Sequence, residues 1–448
     1  MDYIEPEPET SQAEHPMPTG QSLPYVGPGD QRTASQDDLD FFTGSQPMQP
    51  ADWKLVVAKH FPGLVPVVEA CLANVCALLL QDLSNCPALV LVGPPSSIKT
   101  TALDFLDGDL IYETDNFTPA SFVSHAANVT KDNLREIDLL PKIRKKVLMS
   151  KDLSPIFSKR EEDLQQQIGI LTRVLDGRGY QSDSGVHGKR GYQGDYRFAF
   201  LAATTPPDGK VWKVMSKLGP RLLWFVVEPP HQTVEEQVKI MQDDTGYWDK
   251  IEVCRQAVSA YLMGLWERMG GFGGVVWNRQ GDNENLLKDI IGLAGLGSYL
   301  RAQTVRDRAD EESGAYTYSP AIVEGPDRYR SLLYNLARGH AIAEGRSSLE
   351  SEDISLAANV TLSSAPEERR RLLWALLISR EAITIKQAAE AINCSLPTAR
   401  AIAQEMSDLY LVDGKKETDG IKLCLPQRLN WLKGVTEAYR RRPSYGPR

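Results

Sequence analysis

The stretch Ala88-Leu-Val-Leu-Val-Gly-Pro-Pro-Ser-Ser-Ile-Lys-Thr-Thr101 decides the fold. An apolar run from Ala88 to Val92 breaks at Gly93, and apolar residues resume at Ala102 and Leu103. That pattern reads as strand, loop and helix. The loop spells G-x-x-x-x-I-K-T, one residue away from the phosphate-binding loop G-x-x-x-x-G-K-[ST]. In such loops backbone N–H groups cradle phosphate oxygens, the lysine reaches the β- and γ-phosphates, and the hydroxyl residue holds Mg²⁺. The expected triphosphate cradle is Gly93, Pro94, Pro95, Ser96, Ser97, Ile98, Lys99, Thr100 and Thr101, with Thr100 on the metal. Ile98 stands where the last glycine belongs. Glycine serves there for its dihedral freedom and for close backbone approach. Ile98 therefore predicts a distorted loop with weak nucleotide binding, or none. The plainer alternative is an ordinary loop between a core strand and a helix.

The chain has 448 residues, enough for two to four domains, and its hydrophobic fraction of 42% suits a real core. A net charge of −9 and a pI near 5.4 supply no overall basic field for nucleic acid, so any such contact must come from local patches. Six cysteines occur without a C-x-x-C pair, which points to reduced thiols and a cytoplasmic protein. The acidic opening Met1-Asp-Tyr-Ile-Glu5 is no secretory signal, and no apolar stretch reaches the ~18 residues of a membrane helix.

The expected organisation starts with a disordered tail over 1–50, holding a short docking peptide at Asp38-Asp-Leu-Asp-Phe-Phe42. A helical extension follows over 51–85, broken at Pro62-Gly63. The core over 86–232 alternates strands with helices, which argues for a parallel sheet covered on both faces. Ligands on such sheets sit at the carboxyl ends of strands, where Lys99, Asp152 and Thr205 fall. A Gly-rich, aromatic segment between Asp176 and Arg197 reads as a β-hairpin with a basic tip at Lys189 and Arg190, or as a plain surface loop. A helical lid is expected over 233–364, with an acidic loop near Asp310. Three helices and a hairpin over 365–426 make a winged helix-turn-helix. Its third helix, bearing Arg400, enters DNA or serves a protein contact. A basic tail over 427–448 includes Arg440-Arg-Arg442.

From Ala88 to Ser364 the order of motifs resembles AAA+ ATPases. Within them it is most similar to minichromosome-maintenance (MCM-type) helicases and the MCM-like helicases of bacterial mobile elements. Gly93 to Thr100 resembles their Walker A loop. Val147-Leu-Met-Ser-Lys-Asp152 resembles Walker B, with Lys151 in place of one of its two acids. The hairpin with Lys189 and Arg190 resembles the one that tracks DNA in the central channel. Ala202-Ala-Thr-Thr-Pro206 resembles sensor 1, Thr205 standing in for asparagine. Leu218-Gly-Pro-Arg221 resembles the arginine-finger motif, and Pro326-Asp-Arg328 resembles sensor 2. The resemblance implies an α/β P-loop AAA+ core with a helical lid and a C-terminal winged helix. It implies ATP and Mg²⁺, with Asp152 on the metal, Thr205 orienting water and Arg328 on the γ-phosphate. Arg221 would complete a neighbour's site in trans, so the chain would form an oligomer, by family a hexameric ring.

Three functions remain open on the sequence. One is an ATP-hydrolysing helicase, translocase or remodelling motor on DNA. Another is a weakly active or inactive nucleotide-binding scaffold that assembles on DNA or protein partners, as Ile98 and Lys151 suggest. The third is a DNA-binding regulator that reads sequence through Leu396 to Met406. No membrane partner is expected.

Overall fold

The computed structural model describes residues 47–440 except 116, 125–130, 185–187, 229–232, 244, 309–315, 380 and 418–419. Short apolar runs form β1 (Ala88–Val92), β2 (Ile111–Glu113) and β3 (Val147–Ser150). An antiparallel hairpin follows, β4 (Gln181–Ser184) with β5 (Gly188–Gly191). Then come β6 (Ala199–Thr204) and β7 (Leu223–Val226). Five strands join one sheet in the order β2-β3-β6-β1-β7, and every neighbouring pair is parallel. All residues of β1, β3 and β6 are buried, as continuous apolar strands require when helices cover both faces. The fold class is α/β, a parallel sheet flanked by helices.

One face of the sheet is covered by the helix Val65–Cys76, buried along almost its whole length. The Asn74 side-chain amide donates to the Phe200 carbonyl at 3.1 Å and ties that helix to β6. On its far side lies the helix Asp327–Ala343. A Cβ at Gly339 would sit 2.1 Å from the Ala73 carbonyl oxygen, so only glycine permits this approach. Here the sequence expectation needs correcting. The 18-residue stretch Pro62–Leu79 is long and apolar enough to span a membrane, yet 83% of it is buried inside the protein. Its apolarity serves the core between sheet and helix. On the other face, the helices Glu161–Val174 and Gly209–Leu218 close a cluster around Phe200, Trp224 and Phe157.

The segment 233–364 contains the helices Val234–Gln242, Tyr247–Arg268, Glu284–Arg301, Asp327–Ala343 and Ser351–Ser363. It is not wholly helical as expected. An antiparallel hairpin interrupts it, β8 (Gln303–Arg308) with β9 (Tyr316–Ile322). Thr304-Val305 and Tyr316-Thr317-Tyr318 are β-branched and aromatic residues that favour the pleated state.

Towards the C-terminus come the helix Glu367–Ile378, the strand β10 (Ile383–Thr384), and the helices Ile385–Ile392 and Leu396–Asp408. β11 (Asp413–Glu417) and β12 (Gly420–Cys424) follow, in an antiparallel sheet ordered β10-β12-β11. The Thr384 and Ser395 hydroxyls accept from Gln387 N and Thr398 N and so cap the two helices. The helix Leu432–Arg440 packs on Ser351–Ser363. All described residues belong to one compact unit beginning at Gly44. The segment 38–42, most of the N-terminal tail, the acidic loop at 310–312 and residues 441–442 lie outside the described residues.

Candidate nucleotide site

The candidate phosphate loop follows β1, and its amide at Gly93 donates to the Thr204 carbonyl at 3.3 Å. A Cβ at Gly93 would lie 2.3 Å from Ser97 Oγ and 2.9 Å from the Val227 carbonyl oxygen, so the first glycine is sterically required. Ile98 adopts φ 55° and ψ 14°, the left-handed conformation a glycine would take at no cost. Ser96 is left-handed too, at φ 63°. The loop thus keeps a glycine-type path with a β-branched residue on it, a strain of roughly 1–3 kcal/mol. Pro94 and Pro95 carry no N–H and donate nothing.

Ser97 Oγ is buried and has no hydrogen-bond partner among the described residues. The Lys99 ammonium donates to the Pro94 carbonyl across the loop at 3.1 Å. Partial burial holds Lys99 below its ordinary pKa, against the pull of the Asp152 charge. Thr100 is half-buried at the loop end. Thr101 turns inward, sharing a 2.8 Å hydrogen bond with the Tyr247 hydroxyl. The helix Tyr247–Arg268 is thereby pinned to the helix Lys99–Asp104, and Arg255 Nε adds a bond to the Asp104 carbonyl at 2.8 Å.

Asp152 and Thr205 leave β3 and β6 at the same end of the sheet as the loop, because Val92 pairs with Thr204 and Ser150 with Ala202. Ser154 links them. Its N–H donates to Asp152 Oδ1 at 2.8 Å, and its hydroxyl lies 3.3 Å from Thr205 Oγ1. The sequence signal for Ser154 was the Asp-x-Ser-Pro run, an Asx turn opening a short helix. Lys151 points elsewhere, into an ion-pair triad with Asp104 at 2.8 Å and with Glu113. Partial burial works against its ammonium, but hydrogen bonds to Asp104 and Glu113 outweigh it and raise its pKa.

Arg221 and Arg328 are not brought to this end. Gly219, at φ 76°, closes the helix Gly209–Leu218, and Pro220 carries the chain to Arg221 ahead of β7. Since Leu223 pairs with Leu89, Arg221 sits level with the start of β1. At 3.3 Å per residue it lies roughly 20 Å along the strand from the chain's own phosphate loop. Arg221 Nη1 donates to the Leu218 carbonyl at 2.6 Å, and its Nε lies 3.4 Å from Asp176 Oδ1. Arg328 Nη2 is 3.9 Å from the same oxygen. The sequence reading did not single out Asp176, which lies between these two arginines.

The hairpin β4–β5 pairs Ser182 with Arg190 and Asp183 with Lys189. Lys189 is exposed and Arg190 half-buried, while 185–187 lie outside the described residues. Arg400 is exposed on the helix Leu396–Asp408. On that helix Glu405 is engaged by Arg369 at 2.6 Å and Thr304 at 2.9 Å.

Among solved structures, the chain is similar to a full-length MCM homolog from Methanopyrus kandleri, with a TM-score of 0.38 and 14% identity. That likeness covers 76% of this chain and 62% of the other, less than two thirds of the neighbour's length. No protein-family model matches the chain. No curated protein matches it. The fold assignment rests on the chain's own strand order and register.

Proposed function

We propose that this chain is a DNA-dependent ATPase motor of the AAA+ type that works as a ring of copies. The reading rests on one observation: the two halves of the candidate site lie at opposite ends of the sheet. Lys99, Asp152 and Thr205 gather at the carboxyl ends, whereas Arg221 sits roughly 20 Å away, with Arg328 beside it on Asp176. A complete site therefore takes the loop of one copy and the arginines of the next. Such a head-to-tail contact closes into a ring or runs on as a filament.

The donor set fits a nucleoside triphosphate with Mg²⁺. Gly93 leaves the backbone bare, Ser97 Oγ has no hydrogen-bond partner among the described residues, and the Lys99 ammonium donates to the Pro94 carbonyl of its own loop. Thr100 and Asp152 would hold Mg²⁺, which neutralises phosphate charge when bound. Mg²⁺ keeps most of its waters and needs few protein ligands. Thr205 and Ser154 offer hydroxyls that orient a water. The second acid that would polarise that water is missing, because Lys151 is committed to Asp104 and Glu113. Slow turnover follows. The same observation favours the second reading, a ring that binds nucleotide and assembles without appreciable hydrolysis.

Phosphate release measured over a range of protein concentrations, with and without DNA, tests the reading. The rate should rise more steeply than linearly with protein and increase with DNA. Lys99→Ala and Arg221→Ala should each lower it at least about 100-fold. Mixing the two variants should restore part of it, since each supplies the half the other lacks. A wild-type rate in Arg221→Ala would sink the ring motor. Nucleotide binding and assembly with no phosphate release would select the second reading.

A further inference from the structure

Asp176 sits just past the helix Glu161–Val174, where Gly177 at φ 71° turns the chain away. Its Oδ1 lies 3.4 Å from Arg221 Nε and 3.9 Å from Arg328 Nη2. Its Oδ2 lies 3.4 Å from Arg173 Nη1. The three arginines come from three separate places: the end of one helix, the approach to β7 and the start of the helix Asp327–Ala343. One carboxylate faces three guanidinium groups. The contacts are longer than the 2.7–2.9 Å of a tight arginine–carboxylate pair. Asp176 therefore gathers the cations without saturating their donors. Arg328 and Arg173 keep 40% and 65% of their side-chain surface exposed, so the cluster is open to an incoming anion. Without the carboxylate, like charges on Arg221 and Arg328 would drive the two heads apart.

We propose that Asp176 is a positioning residue that holds Arg221, Arg328 and Arg173 as one cluster for the terminal phosphates of a nucleotide bound by the next copy. The proposal rests on the ring reading above and adds to it the group that makes the arginines act together. It also adds Arg173, which no motif singled out. Phosphate oxygens accept from guanidinium forks in the same plane as a carboxylate does, so an arriving phosphate competes for donors that Asp176 has already aligned.

The test uses the full chain and Asp176→Asn, which removes the charge and keeps the size. With a non-hydrolysable ATP analogue, the protein concentration at half-assembly, read by sedimentation, should rise about tenfold in the variant. Analogue binding to the loop of unassembled protein should not change. The turnover number should fall about tenfold with KM unchanged, since misplaced catalytic groups cost rate more than binding. Asp176→Glu should restore both readings to within about twofold. Mixing Asp176→Asn with Lys99→Ala should recover turnover, because the arginines of the second serve the loop of the first. A misfolded variant would not be rescued in this way. Should Asp176→Asn fail to fold, the exposed Arg173→Ala replaces it, with an expected rise of about threefold in the assembly midpoint. An inactive Arg221→Ala beside an Asp176→Asn that assembles and turns over normally overturns this proposal alone. A fully active Arg221→Ala overturns the ring reading first. Faster turnover in Asp176→Asn would mean the carboxylate restrains the arginines, and the proposal would again be overturned.

Discussion

The Lys151 ammonium binds Asp104 at 2.8 Å and also contacts Glu113, and all three side chains are partly exposed. Replacing the lysine by aspartate, as if to restore the expected acid, puts three carboxylates in one place. Lys151→Asp should destabilise the protein by about 1–2 kcal/mol at neutral pH, discounted for solvent screening. The sign with pH is fixed by the crowding. Repulsion raises the folded carboxyl pKa values above their unfolded ones, so the penalty is absent below the ordinary carboxylate range near pH 4. It grows as pH rises through the raised values. Denaturant unfolding at pH 4 and pH 7 measures it, and an equal penalty at both would refute the triad. The sequence made Lys99, Asp152 and Thr205 legible as neighbours because each follows a readable apolar strand. It could not show what Lys151 or Asp176 touch. Their partners are distant in the chain and meet only through the sheet register and helix packing.

At the scale of the element, the helix Ser351–Ser363 illustrates what capping does inside a core. Asp353 is the third residue of that helix, and its Oδ2 accepts the Glu350 amide at 2.7 Å. It also accepts from Arg346, at 2.7 and 2.8 Å, and lies 2.5 Å from His340 Nδ1. Burial pushes its carboxyl pKa up, but the hydrogen bonds from His340 and Arg346 outweigh burial and leave it below the ordinary value. A depressed folded pKa stabilises the protein above the unfolded value near 4, and the contribution is lost as pH falls through the folded one. Asp353→Asn should cost about 1.5–3 kcal/mol at neutral pH, because it takes the charge from the bonds to His340 and Arg346 and leaves Arg346 with the Glu350 carboxylate at 3.8 Å. The variant should also lose stability less steeply in acid than the wild type. Equilibrium unfolding between pH 2 and 7 checks both, and parallel acid limbs would dismiss the role. Helix starts of this kind were legible, since acids and hydroxyls before an apolar run are a local signal. The hairpin β8–β9 was not, because its short strands lie between long helices whose apolar spacing dominates the segment.

For the whole molecule, the ring reading sets the loop of one copy against the arginine cluster of the next, a head-to-tail contact between two different surfaces. Ring closure would bring the hairpins β4–β5 of successive copies round a common axis if they face inward. The net charge of −9 gives the chain no general attraction to DNA. Contact must then be concentrated on a few cations, and the exposed Lys189 on β5 is the one the ring reading selects. Binding should weaken with salt, because each neutralised phosphate releases condensed counterions. Lys189→Ala should reduce the slope of log affinity against log salt by about 0.9 for every copy that contacts duplex, or about 0.7 on a single strand. Arg400→Ala tests the competing surface, since Arg400 is the only basic residue on the helix Leu396–Asp408. A slope that responds to Arg400→Ala and not to Lys189→Ala would move the DNA to the C-terminal helices, and the hairpin would then have to be read as an inter-copy contact.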